Sequence, residues 1–228
     1  PAGRYPITGD KGTLQSLNYD FTFQSGDLFI GKAHILVKAD DKTRFYGAAN
    51  PVFTATYTGF VNGETLATSG VAGTPVISTT ATSSSVAGNY EITTSLGSLT
   101  SSNYLFVFVK GTMTVAKATI TVTPDNKWRV YGEQNPAFTA SYSGFINGES
   151  WATSGITGAP VLATNATPAS GAGSYDITAS LGTLAASNYT FEYAKGTLNI
   201  GKATVTVTPD NKSRNYGAAN PVLTASYT

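Results

Sequence analysis

Short segments in which apolar and polar residues alternate recur along the whole chain, and this period of two is typical of half-buried β-strands. In residues 118–202, Ala118, Ile120 and Val122 alternate with three threonines and predict a first strand. Pro124-Asp125-Asn126 then predicts a turn. The same alternation predicts five further strands, at residues 138–142, 161–167, 175–179, 189–193 and 198–200. No helical periodicity extends over a long segment.

Six short strands joined by turns predict an all-β fold built from small two-layer domains. Two topologies fit the pattern. In an immunoglobulin-like sandwich, Gly173-x-Tyr175 would form a tyrosine corner, whose hydroxyl bonds back to an upstream loop. In a grasp-like domain, a single sheet would carry one helical turn at Glu149–Ser154, closed by Gly155. The sequence leaves both topologies open.

The motif Arg-x-Tyr-Gly-x-x-Asn-Pro occurs three times at a constant step. Its tyrosines are Tyr46, Tyr131 and Tyr216, so the step is 131 − 46 = 216 − 131 = 85 residues. Residues 33–117 align with 118–202 without a gap, and roughly half of the positions are identical. A period of this length suits a small domain rather than a solenoid repeat. The motif residues are Arg44, Tyr46, Gly47, Asn50 and Pro51; Arg129, Tyr131, Gly132, Asn135 and Pro136; and Arg214, Tyr216, Gly217, Asn220 and Pro221.

This step divides the chain into four parts. Residues 33–117 and 118–202 are complete repeats, residues 1–32 are the C-terminal part of a repeat, and residues 203–228 are the N-terminal part of a further one. We therefore expect the chain to be a piece of a longer array. The inward face changes parity between Val115 and Ala118 without a Gly- or Ser-rich linker, which predicts a short, stiff joint and an extended array.

Other motifs keep the same step, among them Gly-Phe-x-Asn-Gly-Glu, Gly-x-Tyr-x-Ile-Thr, Ser-Asn-Tyr-x-Phe and Lys-Gly-Thr followed by Leu or Met. Together with Arg-x-Tyr-Gly-x-x-Asn-Pro, they resemble the MBG repeat of the YGX type, which is found in large bacterial surface adhesins. The resemblance covers essentially the whole chain. It implies a non-catalytic stalk segment of an adhesin or surface fibre, secreted or on the bacterial cell surface, whose first partners are other repeats of the same chain.

Composition and charge narrow the function classes. Charged residues make up 12% of the chain and the net charge is +1, so no basic stripe for nucleic acid is present. There is no run of 18 apolar residues, so we expect no membrane insertion in this segment. The absence of cysteine excludes disulfides and thiolate metal sites.

No residue set supports catalysis. His34 is the only histidine, it falls on the outward parity, and its equivalents are Thr119 and Thr204. No second carboxylate recurs at a fixed distance from Glu64 and Glu149, so acid–base pairing is not supported. We predict no enzyme activity and no cofactor. Calcium is the one ion that the turn residues suit, but one or two acidic groups per turn are too few for a site: Asp40-Asp41, Asp125-Asn126 and Asp210-Asn211.

Two features could serve binding. The arginine and tyrosine of the repeated motif are expected to be structural, with the arginine over the ring or capping a carbonyl. Trp128 stands where the other repeats have Thr43 and Ser213, so we expect it to be exposed, and an exposed tryptophan can stack on a sugar ring. One unrepeated tryptophan does not by itself establish a site.

The last feature concerns contact between chains. Tyr104, Phe106 and Phe108 should face the core, which turns Leu105, Val107 and Val109 outward. The equivalent residues of the next repeat are Thr190, Glu192 and Ala194, so an apolar stripe is peculiar to residues 33–117. We expect this stripe to contact a neighbouring identical chain in a fibre. Against the structural function stands one alternative, a repeat that binds glycans or proteins of a host or a microbial community.

Overall fold

A computed structural model describes residues 1–228 and consists of β-strands and turns with no helix. The chain divides into two compact units, residues 1–118 and 119–228. The prediction of an all-β fold is confirmed. The structure contains no helix that is long and apolar enough to cross a membrane.

Eighteen strands follow one another along the chain. They are β1 (Gly3–Ile7), β2 (Gly26–Ile30), β3 (Ala33–Ala39), β4 (Lys42–Phe45), β5 (Ala55–Thr58), β6 (Val76–Thr79), β7 (Gly88–Ser95), β8 (Tyr104–Val109), β9 (Gly111–Ala116), β10 (Ala118–Pro124), β11 (Lys127–Val130), β12 (Ala140–Ser143), β13 (Val161–Thr164), β14 (Gly173–Ser180), β15 (Tyr189–Tyr193), β16 (Gly196–Gly201), β17 (Val207–Pro209) and β18 (Ala225–Tyr227).

Each complete repeat forms two sheets. In the first repeat a three-stranded sheet has the order β5-β3-β8 and a four-stranded sheet has the order β4-β9-β7-β6. The second repeat has the same arrangement, β12-β10-β15 and β11-β16-β14-β13. The incomplete repeats contribute two-stranded antiparallel sheets, β1-β2 and β17-β18. Each complete repeat therefore has two sheets, and the single-sheet alternative is wrong.

The first and last segments of a repeat run side by side as one parallel pair. β3 pairs with β8 and β4 pairs with β9, both in parallel and both with partners 71 residues apart, as in Ala33 with Tyr104 and Lys42 with Met113. Between the two ladders both segments leave the three-stranded sheet and enter the four-stranded one. In the second repeat β11 and β16 pair in parallel at the same offset, Lys127 with Leu198. We call this pair of segments the parallel ribbon: residues 33–45 with 104–116, and 118–130 with 189–201.

A glycine and a side-chain oxygen accommodate the crossing where the ribbon changes sheets. A Cβ on Gly111 would lie 2.4 Å from the carbonyl oxygen of Ala39, and one on Gly196 would lie 2.3 Å from that of Pro124. Only glycine fits this crossing. Beside it the backbone N–H of Thr112 donates to Asp41 Oδ1 at 2.7 Å. In the second repeat the N–H of Thr197 donates to Asn126 Oδ1 at 2.8 Å, so these side chains replace a ladder carbonyl.

The preceding aspartate fastens the crossing to the neighbouring strand. Asp40 accepts hydrogen bonds from the hydroxyls of Thr54 and Thr56, and Asp125 accepts them from Thr139 and Ser141. Asp210 does the same in the incomplete last repeat. The bonds from Ser141 and Thr139 hold the pKa of Asp125 below its usual value, because they favour the ionised carboxylate. The aspartates of these turns thus act as hydrogen-bond acceptors for their own fold.

Each sheet of the first repeat has its own cluster of buried side chains. Ile35 and Val37 of β3 are fully buried with Leu99 and Tyr104 in one cluster, and Ile92 and Met113 belong to a second cluster on the four-stranded sheet. The hydroxyl of Tyr104 donates to Glu64 and accepts from the N–H of Val61, so its pKa is raised, first by the bond to Glu64. Tyr189 and Glu149 repeat this contact at 2.6 Å. Glu64 and Glu149 thus accept the hydroxyl hydrogen bond of a buried tyrosine.

The tyrosine corner is confirmed. The hydroxyl of Tyr175 donates to the carbonyl oxygen of Gly171, four residues upstream, at 3.0 Å. Tyr90 makes the same bond to Val86, at 2.9 Å. The predicted single turn at Glu149–Ser154 is present: Ser154 N donates to Ser150 O at 2.9 Å, and Gly155 ends the turn with a φ of +70°.

One strand per repeat escaped the sequence prediction. β4 and β11 pair with the last strand of their repeat, yet the residue of each that points inward is an arginine, Arg44 or Arg129. A charged inward residue hides the apolar alternation on which strand prediction rests. Each repeat therefore has seven strands where the pattern predicted six.

We predict that Gly196→Ala destabilises the second repeat by at least about 2 kcal/mol, because the new methyl collides with backbone. Urea unfolding followed by tryptophan fluorescence reports on this repeat alone, since both tryptophans, Trp128 and Trp151, belong to it. Gly171→Ala is the matched control, because a Cβ there meets nothing within 4 Å. Equal stabilities of the two variants would refute the close crossing.

Candidate functional site

The repeated arginine is a buried cation without a carboxylate partner. Arg129 is 2% exposed, and its Nε donates to Asn135 Oδ1 at 2.8 Å. Its terminal nitrogens donate to the carbonyl oxygens of Val130 at 3.1 Å and Thr167 at 2.6 Å. Asn135 Nδ2 in turn donates to the carbonyl oxygen of Ala166 at 2.7 Å. Arg129 and Asn135 therefore join β11 and the loop after it to the loop after β13.

The first repeat has the same network. Arg44 Nε donates to Asn50 Oδ1 at 2.8 Å, and the guanidinium also binds the carbonyl oxygens of Phe45 and Thr82. Asn50 Nδ2 donates to Ala81 O at 2.7 Å. In the last, incomplete copy Arg214 is exposed and binds only nearby carbonyl oxygens, those of Asn215 and Ala218. The network thus forms where the repeat is complete.

The remaining motif residues shape the turn after this strand. Gly47, Gly132 and Gly217 have φ angles of +81°, +90° and +81°, which glycine adopts most easily. The prolines of the complete repeats, Pro51 and Pro136, are half-buried, and Pro221 is exposed. The tyrosines differ: Tyr46 is buried at 6% exposure, Tyr131 is 49% exposed and Tyr216 is fully exposed. The arginine caps carbonyls, one of the two structural roles expected for it, and its contacts offer no group to a ligand.

The apolar stripe of the first repeat lies on an edge strand. β8 is the last strand of its three-stranded sheet. Leu105 is 48% exposed and Val107 is 42% exposed, whereas Val109 is half-buried. Leu36 on the neighbouring strand pairs with Val107 and is 41% exposed, so it extends the stripe. A groove of about 630 Å³ follows β8, lined also by Leu96, Leu99 and Thr100.

The backbone of β8 is open along the same edge. Ala33 N donates to Asn103 O at 3.0 Å, which fixes the phase of the parallel ladder. Because successive residues of a strand point their backbone groups in opposite directions, the N–H and C=O groups of Phe106 and Phe108 face away from β3. The strand thus presents unpaired backbone groups beside an apolar stripe.

The second repeat has polar residues at the positions equivalent to the exposed members of the stripe, and alanine at the position of Val109. Leu36, Leu105 and Val107 correspond to Thr121, Thr190 and Glu192. A charge in the middle of an edge strand discourages pairing with another strand. The first repeat has no charged residue within β8, so its edge lacks this protection.

The other candidates carry no ligand geometry. His34 is exposed on β3, where it pairs with Leu105 and lines the groove along β8. The structure contains no group of three or more His, Asp or Glu side chains placed to hold a metal ion. Trp128 is 63% exposed, as expected, whereas Trp151 packs on Tyr142 with 4.3 Å between ring centroids.

We predict that Asn135→Leu costs the second repeat about 2–4 kcal/mol, because it strips the buried guanidinium of Arg129 and the carbonyl of Ala166 of their partner. The fluorescence-detected urea midpoint measures the loss. Asn165→Leu makes the same change at an exposed amide of the same repeat, and it should leave the midpoint unchanged. A neutral Asn135→Leu would show that the network contributes little.

Comparison with known proteins assigns the chain to a family. The family model described as the MBG domain (YGX type) matches residues 35–114 and 120–199, which together exceed half of the chain. No curated protein matches the chain. MBG domains are repeat domains of surface proteins and form a non-enzymatic family. With two matches in tandem, the chain belongs to the MBG domain family of the YGX type.

Proposed function

We propose that this chain is a load-bearing segment of a stalk in a bacterial surface adhesin, exposed outside the cell and without catalytic activity. The family supports a structural repeat of a surface protein. The observation that carries the proposal is the parallel ribbon, because it determines how a repeat resists a force applied along the chain.

A force that stretches the chain acts on a repeat at two points, the start of the first ribbon segment and the end of the second. In the first repeat these points are Ala33 and Ala116, which lie at opposite ends of two parallel segments. The segments are therefore sheared past each other, and the ladder bonds share the load. If the points lay at the same end, the bonds would break one at a time. The four-residue β4–β9 ladder and the six-residue β3–β8 ladder resist shear together.

We predict that the chain, stretched by its ends between surface and probe, unfolds in two force steps of similar length, one for each complete repeat. An 85-residue repeat spans roughly 280–310 Å when fully extended, at about 3.3–3.6 Å for each residue, and each step is shorter than this by the length of the folded repeat. Force spectroscopy at constant pulling speed measures both steps. Extension without discrete steps would contradict two load-bearing repeats.

The proposal includes a lateral partner, a second copy of the same chain bound along β8. Two copies of an edge strand can pair antiparallel about a two-fold axis, which yields a closed, self-complementary contact. With the axis at Val107, each Val107 lies opposite its counterpart, and Leu105 lies opposite Val109. The open N–H and C=O groups of Phe106 and Phe108 then bond to the partner strand. Every residue from Leu105 to Val109 is uncharged, so nothing in the strand opposes this pairing.

Val107→Glu tests the contact, because it copies Glu192 of the second repeat and sets two carboxylates directly opposite each other at the axis. We expect the wild-type chain to self-associate with rising concentration in sedimentation equilibrium, and Val107→Glu to remain monomeric. Val76→Glu is the control, since Val76 is 56% exposed on a strand of the other sheet. The reciprocal change Glu192→Val should strengthen association. A wild type that is monomeric at all concentrations, or a folded Val107→Glu that associates as before, would refute the contact.

A further inference from the structure

The outer face of the second repeat's four-stranded sheet carries an exposed tryptophan in a row of polar residues. Trp128 of β11 pairs with Asn199 of β16, which pairs with Ser174 of β14, so the three side chains cross the sheet in line. Trp128 is 63% exposed, and Asn199 and Ser174 are exposed as well. The side chains stand on three adjacent strands of one sheet, which makes their positions rigid.

The indole is held in place by a gap in the neighbouring strand. A Cβ at Gly201 would lie 3.1 to 3.4 Å from three atoms of the indole of Trp128, so the ring covers the space that a side chain would need. The first repeat has Thr43 and Ala116 at these two positions. The second repeat thus has a tryptophan in place of threonine at the first position and a glycine in place of alanine at the second. Thr43 is also exposed, so this place on the sheet faces solvent in both complete repeats.

Polar groups suited to a neutral ligand lie beside the ring. Ser174 Oγ donates to Asn199 Oδ1 at 2.6 Å, which leaves the amide nitrogen of Asn199 to donate outward. Lys195 and Asp176 form an exposed ion pair at 2.6 Å. The surface next to Trp128 therefore combines one aromatic ring, an amide and a hydroxyl.

We propose that Trp128, Asn199 and Ser174 form a binding site for one sugar ring of a neutral polysaccharide. A pyranose has a face of C–H groups that can pack on an indole, while the hydroxyls at its edge bond to an amide and a hydroxyl. A protein partner would need a wider apolar area than one ring provides. The site does not depend on the stalk function, because it lies on the outer face of a sheet and uses none of the buried ribbon contacts.

Fluorescence of Trp128 provides the test. Trp151→Leu, which copies Leu66 of the first repeat, leaves Trp128 as the only tryptophan. This variant is titrated with soluble hexamers of β-1,4-linked glucose and β-1,4-linked N-acetylglucosamine and with a mannan oligosaccharide. We expect a saturable change with at least one of them and a Kd on the order of 1 mM, as a single-ring contact implies. No saturable change with any of the three would overturn the proposal.

Two further variants distinguish binding at this site from non-specific binding. Trp128→Thr, which copies the first repeat, should lower the affinity of the otherwise unchanged chain for the sugar at least about tenfold in calorimetry, with the fold intact. Thr43→Trp combined with Ala116→Gly transfers the platform to the first repeat, whose row already contains Thr114 and Asn89 joined at 3.1 Å. Binding unchanged in Trp128→Thr would overturn the assignment, and a second binding site in the transferred variant would support it.

Discussion

The in-register parallel pairing of the first and last segments is the constraint on which each repeat depends. Both segments must change sheets at the same level, or one ladder would lose its partner. This requirement places a glycine where the last segment passes the carbonyl of the first, Gly111 against Ala39 and Gly196 against Pro124. It also explains Asp41 and Asn126, whose side-chain oxygens bridge the interval in the ladder. The two residues differ in charge and share only an acceptor oxygen, so the position requires a hydrogen bond and no charge.

The second constraint is the buried arginine of the strand that closes the four-stranded sheet. Arg129 is satisfied by oxygens of an amide and of carbonyls, and no buried side-chain nitrogen or oxygen in the structure lacks a partner. A buried charge that relies on neutral acceptors needs all of them at once, since each lost partner leaves a desolvated donor. The motif Arg-x-Tyr-Gly-x-x-Asn-Pro therefore brings the arginine and its asparagine together through one tight turn. Where the repeat is incomplete, Arg214 lies exposed instead.

Much of this fold could be predicted from the sequence, and the exceptions have physical reasons. The 85-residue step, the alternation of Ala118, Ile120 and Val122, and the tyrosine corner at Tyr175 all depend on local pattern, and the structure agrees with them. β4 and β11 were missed because their inward residue is an arginine. The parallel ribbon could not be predicted either, because pairing between residues 71 apart leaves no local signal. The stripe at Leu105 and Val107 could be predicted, since comparison of equivalent positions reveals which repeat departs from the polar choice. The platform at Trp128 could be predicted only in part, because the accommodating Gly201 is 73 residues away in the sequence.

The dependence of the unfolding force on pulling direction distinguishes a ribbon loaded in shear from one that opens bond by bond. The chain has no cysteine, so paired cysteine handles can be placed freely. Lys117→Cys with Lys202→Cys loads the second repeat at opposite ends of its ribbon, in shear. Glu133→Cys with Lys202→Cys loads the same ribbon from one end, so that its bonds open in sequence. The parallel ribbon predicts an unfolding force at least about twofold higher for the first pair at equal pulling speed, because shear loads the ladder bonds together. Equal forces in the two directions would contradict a repeat built to bear load through this ribbon.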